Sequence, residues 1–251
     1  MFRSSLCRIS FARATLRYSV KPQIPRLLCL PARNYTQPAS SNTLKSAVVT
    51  SLPKNCPSCG SPLPTPLPAC PKCFYIARLH QSIPYHEVFG FPYDPNPFVV
   101  DTSTLKRRFH DAQRVCHPDA WATRDDNLRE AALDVSNLIN TAYKTLSDPL
   151  LRAEYILRRN NVEVEEADQL DDMELISEVM EAREEIDNVQ AGESARLFEL
   201  QDENDAKVQE AINNIKELVQ HKRWTEVKTA AVRLKYLQGI RDAIKHRLDN
   251  N

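Results

Sequence analysis

Gln113-Arg114-Val115-Cys116-His117-Pro118-Asp119 marks the point where one amphipathic helix must stop. Upstream, Leu105, Phe109, Ala112 and Cys116 recur at offsets of four, three and four, which is one apolar stripe of an α-helix. Thr102 or Ser103 is placed to cap its N-terminus. The remaining surface carries Lys106, Arg107, Arg108 and Arg114, a concentrated basic face. Pro118 has no N–H to donate and pushes His117 out of the helical region, so the helix ends there. Downstream, Leu128, Ala131, Val135, Leu138, Ala142 and Leu146 form a second stripe, and Asp125, Asp126 and Asn127 suit the positive end of its helix dipole. Two such helices joined by a short polar loop form an antiparallel pair. His117, Pro118 and Asp119 stand at its tip.

The chain beyond the hairpin is acidic and helical. Between Glu163 and Asp187 there are twelve acidic residues and one basic one, Arg183. Asp171 and Asp172 favour a helix start, after which Leu175, Ile176, Val179, Met180, Arg183, Ile186 and Val189 recur at helical spacing. Gly192 marks a break. The next stripe is Phe198, Asp205, Val208, Ile212, Ile215 and Val219, and the last is Trp224, Val227, Ala231, Leu234, Leu237, Ile240, Ile244 and Leu248. Three helices of this kind are expected to bury their stripes against one another as a three-helix bundle.

Towards the N-terminus the character changes. Residues 1–86 hold eleven Lys or Arg and no acidic residue, so residues 87–251 hold 33 − 11 = 22 basic against 33 acidic residues, a net of −11. Arg3, Arg8, Arg13 and Arg17 alternate with Phe2, Leu6, Ile9, Phe11 and Leu16. An Arg-rich, Ser-containing, acid-free amphipathic segment is the signature of an organellar transit peptide, with a disordered basic tail for acidic partners as the alternative reading. Arg33-Asn34-Tyr35 resembles a matrix-peptidase cleavage context, which would start the mature chain near Thr36.

Cys56-Pro57-Ser58-Cys59-Gly60 and Cys70-Pro71-Lys72-Cys73 form two C-x-x-C pairs separated by ten residues. Two such knuckles complete a tetrahedral thiolate shell, which zinc favours and iron can also occupy. Pro62, Pro64, Pro66 and Pro68 leave little core, so metal binding is expected to supply much of the folding free energy. Disulfides, a redox C-x-x-C pair, and a nucleic-acid-binding ribbon using Lys54, Lys72, Phe74, Tyr75 and Arg78 are the competing readings. Cys116 falls on the apolar face of its helix, where a buried thiol is the default.

Several classes drop out. The four glycines, Gly60, Gly90, Gly192 and Gly239, are not spaced as a phosphate-binding or dinucleotide-binding loop requires, so no nucleotide is expected to bind this chain. No apolar run approaches the length of about eighteen residues that suggests a membrane span. The −11 of residues 87–251 argues against extended contact with nucleic-acid phosphates. No nucleophile accompanies His117 and Asp119, which argues against an enzymatic dyad.

The hairpin residues carry a family resemblance. Residues 113–119 resemble the end of helix II and the His-Pro-Asp loop of a J-domain. Tyr85-His86-Glu87-Val88-Phe89-Gly90 resembles its short first helix, and Asn140 to Pro149 the end of helix III. Arg152-Ala153-Glu154-Tyr155-Ile156-Leu157 resembles the extension of the HscB branch, and Met173 to Ile186 that branch's client-binding helix, with Ser177 and Ala182 where Met and Leu are frequent. The resemblance implies a co-chaperone that delivers an iron–sulfur scaffold protein to a DnaK-type ATPase chaperone and stimulates its ATPase. His117, Pro118 and Asp119 would be the trigger, and Lys106, Arg107, Arg108 and Arg114 the docking face. Ile176, Met180, Glu181, Glu184 and Tyr236 would contact the scaffold. A general folding or import J-protein and a zinc-knuckle nucleic-acid binder are the alternatives.

The expected protein is mainly α. A transit peptide (1–35) and linker (36–53) precede a tetracysteine zinc segment (54–76, ligands Cys56, Cys59, Cys70 and Cys73). A J-domain (82–160) and a C-terminal scaffold-binding bundle (168–250) follow. It would act in the mitochondrial matrix without nucleic acid or membrane, and with homodimerisation left open.

Overall fold

Fifteen residues from Thr102 to Cys116 form α2, and twenty-two from Asp126 to Ser147 form α3. A 3₁₀ turn, Pro118–Trp121, joins this antiparallel hairpin. The computed structural model describes residues 48–164, 173–190 and 194–250, all within one compact unit, Thr43–Asn251. The transit-peptide residues, the cleavage context, Asp171, Asp172 and Gly192 lie outside the described residues. Before the hairpin stand β1 (Val48–Val49), its parallel partner β2 (Arg78–Leu79) and a one-turn α1 (Tyr85–Val88). After it come α4 (Pro149–Arg159), α5 (Met173–Asn188), α6 (Ser194–Gln220) and α7 (Trp224–Asp249). The fold is therefore mainly α, as expected.

Some details depart from the sequence reading. Asp101, not Thr102 or Ser103, caps α2: its carboxylate accepts the Ser103 N–H at 3.0 Å and the Ser103 hydroxyl at 2.7 Å. Hydrogen bonds from Thr104 and Ser103 hold that carboxyl down at about 2. In α3 the buried residue is Ile139, with Leu138 only half-buried, because Ala131, Ala132, Val135 and Ser136 turn the stripe by one position. In α6, Leu197, Leu200 and Asn204 are buried, while Phe198 is 54 % exposed. Asp205 stands beside the stripe, paired with Arg241 at 2.6 Å.

The bundle is not closed on itself. Ala153, Tyr155, Ile156 and Leu157 of α4 and Phe98 of the preceding loop share one core with α5, α6 and α7. Arg152 secures the join at 6 % exposure. Its Nε donates to the Leu146 carbonyl and its Nη1 to the Phe98 carbonyl, each at 2.8 Å, and Nη2 reaches the Ser147 carbonyl at 3.5 Å. A cation at the C-terminal end of α3 also meets the negative end of that helix. Burial draws the guanidinium pKa down to about 10, still far above neutrality, so the charge persists. Replacing it by Met strands three carbonyls: Arg152→Met is expected to lower unfolding stability by about 3 kcal/mol in a urea melt.

His86 lies beside this join, fully buried, with Nε2 donating to the Pro97 carbonyl at 2.7 Å and Nδ1 unpartnered. Tyr93 and Tyr155 pack on the ring, and burial, reinforced by Arg152 and Arg159, lowers its pKa below the ordinary 6.5. The unfolded chain then binds the proton more readily, so folding stability is undiminished above about 6.5 and lost as pH falls below it. Denaturant midpoints should decline from about pH 6.5 to about pH 5 in the wild type. His86→Gln, weaker at pH 7, should decline less over that interval.

Candidate functional site

Three surfaces gather the chemistry, and the first is the hairpin tip. His117 leaves the helix with extended backbone (ψ 130°). Its Nδ1 accepts the Asp119 N–H at 3.3 Å and stands 3.6 Å from the Asp119 carboxylate. The Asp119 side chain is 92 % exposed. Beneath it Trp121 is 2 % exposed and donates its indole N–H to the Val115 carbonyl at 3.0 Å. Gln113 donates to Asn140 at 2.7 Å and accepts from Ser136 at 3.1 Å, while Phe109 stacks on Tyr143 at 4.2 Å. His117 and Asp119 therefore stand exposed, with Pro118 half-buried between them, on a packed support.

Of the basic residues, Lys106, Arg107 and Arg114 are exposed, and Arg114 pairs with Asp111 at 3.3 Å. Arg108 differs. Its Nη1 donates to the Phe89 carbonyl at 2.7 Å and its guanidinium lies 4.4 Å from the Phe91 ring centroid. It fastens the α1 loop to α2 as well as adding charge to that face. Cys116 is buried, and burial pushes its thiol up to about 12.

The second surface is the tetracysteine segment. The Sγ atoms of Cys56, Cys59, Cys70 and Cys73 all lie within 4.8 Å of one another. Cys56 and Cys73 approach to 3.5 Å, and Cys59 and Cys70 to 3.7 Å. The two knuckles are near copies. The N–H of Cys56 donates to the Ser61 carbonyl and that of Cys70 to the Tyr75 carbonyl, both at 2.8 Å. Four thiols converging from two turns fit a tetrahedral metal ion.

Contrary to the expectation of little core, Leu67, Ala69 and Ile76 are buried in the same cluster as Leu105, Ala112, Val135 and Ile139. Gly90 (φ 69°) allows this close fit, since a Cβ there would stand 3.2 Å from Pro66. Arg78 pairs with Asp134 and Glu130 on α3, and Phe74 packs on Trp121. Two of the residues considered for nucleic-acid contact are thus engaged within the chain. Sequence reasoning missed Phe74 and Trp121 as a contact; the readable signal was a Phe following the second knuckle where Gly60 follows the first.

The third surface is α5. Leu175, Val179 and Ile186 face the core, Ile176 is half-buried, and Met180 is 66 % exposed. Glu181 and Glu184 are exposed, outside the ion pairs that tie Glu178 to Lys207 at 2.8 Å and Glu185 to Arg196. Glu181 accepts from the Ser177 hydroxyl at 3.1 Å. Tyr236 is half-buried against the bundle core on α7, the helix on which α5 packs.

A family model described as the HSCB C-terminal oligomerisation domain matches residues 171–245. The human iron–sulfur cluster co-chaperone protein HscB is 29 % identical over 177 residues, covering 70 % of this chain and 73 % of that protein. The crystal structure of the human co-chaperone superposes with a TM-score of 0.65 at 26 % identity, over 78 % of this chain and all of that one. The chaperone HscB from Vibrio cholerae gives 0.61 at 29 % identity, over 67 % of this chain and 99 % of that one. The hairpin and the bundle it leads into are thus shared with the solved co-chaperones. In sequence and in fold the chain is similar to the HscB-type co-chaperones.

The four thiols are expected to hold one divalent ion per chain. Release of the ion by a thiol-blocking mercurial, followed with a chromogenic chelator, should give one equivalent for the wild type and under about a tenth of that for Cys70→Ser.

Proposed function

We propose that this protein brings an iron–sulfur scaffold protein to a DnaK-type ATPase chaperone in the mitochondrial matrix and stimulates the chaperone's ATP hydrolysis. The carrying observation is the arrangement of the hairpin: His117 and Asp119 stand exposed at its tip, and Lys106, Arg107 and Arg114 are exposed along the helix that leads to it. A basic rim steers encounter with an acidic partner surface and sets orientation more than it adds affinity. Asp119 then reaches the partner with little left to order.

The same reading assigns α5 to the scaffold. Met180 and the half-buried Ile176 offer a small apolar patch beside Glu181 and Glu184, the composition of a binding hot spot bordered by charge. Tyr236 would extend it from α7. Zinc, in the tetracysteine shell, is a structural ion on this reading: it would cross-link the two knuckles and supply no chemistry to the partner. The chain itself hydrolyses nothing. Free energy comes from the partner's ATP, and the co-chaperone contributes differential affinity for the partner's states. The Arg-rich first 35 residues support the matrix address.

ATP turnover of the matrix DnaK-type chaperone tests both halves. The protein and scaffold together should stimulate more than the sum of each alone. Asp119→Ala should abolish stimulation, and Met180→Ala should lower the scaffold-dependent part by about fivefold. Stimulation indifferent to the scaffold would sink the client assignment, and none at all would sink the trigger assignment.

A further inference from the structure

The two knuckles differ at one telling position. In each, the residue after the second cysteine turns left-handed and donates its N–H to the carbonyl of the first. Gly60 (φ 70°) does so to Cys56 at 2.9 Å, and Phe74 (φ 57°) to Cys70 at 3.0 Å. Glycine adopts that backbone freely, whereas an aromatic residue does so against its own Cβ. The knuckle itself needs no side chain here, as Gly60 demonstrates in its twin.

The Phe74 ring works outside the knuckle. It meets Trp121 edge-on, with centroids 6.0 Å apart at 84°. The Arg124 guanidinium lies over it at 3.4 Å. Both partners belong to the connection that carries the tripeptide: Trp121 ends the Pro118–Trp121 turn, and the Arg124 N–H closes the next turn on the Trp121 carbonyl at 3.0 Å. Pro71 and Phe74 from the segment also wall one cavity with Arg114, Val115, Ala120 and Trp121. Strained backbone retained beside an exposed functional loop is the pattern of a part that presets geometry.

We propose that Phe74 is a positioning residue for the His-Pro-Asp loop: the tetracysteine knuckle holds it in a left-handed turn so that its ring fixes Trp121 and Arg124. The inference rests on reading the tripeptide as the trigger for the partner chaperone. A loop fixed beforehand loses less freedom on docking. Without the ring, only a fraction of molecules present the docking geometry, and the apparent affinity falls by that fraction. The maximum at saturation stays nearly unchanged, unlike the effect of removing Asp119.

The test uses the full chain carrying Trp224→Phe, which leaves Trp121 as the only indole of the two in the sequence. Phe74→Gly, Phe74→Tyr and Asp119→Ala are compared by ATP turnover of the DnaK-type chaperone, acrylamide quenching of Trp121 fluorescence, and bound metal. Phe74→Gly should keep its metal, because it relieves the left-handed strain, and should make Trp121 markedly easier to quench. It should also raise the half-saturating concentration for stimulation about fivefold, and Phe74→Tyr should restore both readouts. Should Phe74→Gly lose its metal, Phe74→Leu, which keeps the strain and lacks the ring, is read in the same two ways. Unchanged quenching and half-saturation in the ring-less variant overturn the proposal while the trigger reading stands. Stimulation that is absent from the parent chain, or that survives Asp119→Ala, overturns the trigger reading on which it rests.

Discussion

The buried guanidinium of Arg152 is the constraint around which the two helical parts are arranged. It supplies donors to carbonyls from the end of α3 and from the Phe98 loop, and it belongs to the helix that enters the second core. A charge so enclosed is stable only where its donors are answered, and here the answering groups are backbone carbonyls at a helix end. Those carbonyls would otherwise be unpaired, so each side removes a penalty from the other. Asp148 caps α4 through the Leu151 N–H at 2.9 Å, and Pro149 occupies its first turn, which needs no N–H. The chain therefore leaves α3 and enters α4 within a residue.

Around that point the aromatic groups complete the join. Tyr85 stacks on Tyr155 at 4.4 Å, and the Tyr85 N–H donates to the Tyr155 hydroxyl at 3.0 Å. Asn96 donates to the Lys216 carbonyl on α6 at 2.9 Å. Helix α4 thus follows directly on the hairpin and is at the same time a member of the bundle core. A flexible tether between the two parts would show few buried contacts. This junction is instead continuous packing, and on the proposed reading it holds the chaperone trigger and the scaffold surface in a fixed relation.

The legible parts of this fold were those whose signal is local. Pro118 stops α2 through its own covalent geometry, and the stripes of α2 and α7, with all of that of α3 except Leu138, follow from helical period. The paired cysteines announce their cluster because two ligands three apart already specify a turn. What escaped depended on neighbours distant in sequence. Nothing near Phe198 and Asp205 says that packing on α7 will turn Leu197 and Asn204 inward instead, with Asn204 donating to the Leu237 carbonyl; a one-residue rotation, about 100°, decides it. Arg152 reads as one more cation in a basic stretch until Phe98, far upstream, closes over it. Met180 falls in the helical stripe and also among the residues the resemblance assigns to the scaffold, and its exposure sets it apart from the buried Val179.

Placement of the tetracysteine segment extends the same logic. A proline-rich stretch without a core of its own would owe its order to a metal alone, yet Leu67, Ala69 and Ile76 are buried in the hairpin's core. The hairpin lends apolar surface, and the segment covers part of α2 and α3 in return. Order in the segment and order at the hairpin tip are therefore linked through shared burial, even before any particular side chain is singled out. Metal binding to such a segment stabilises whatever it is packed against by the same mass-action rule that stabilises the segment itself. At the Phe74–Trp121 edge an aromatic pair and the Arg124 guanidinium join knuckle to turn, and β1–β2 and the Arg78 ion pairs secure the other end.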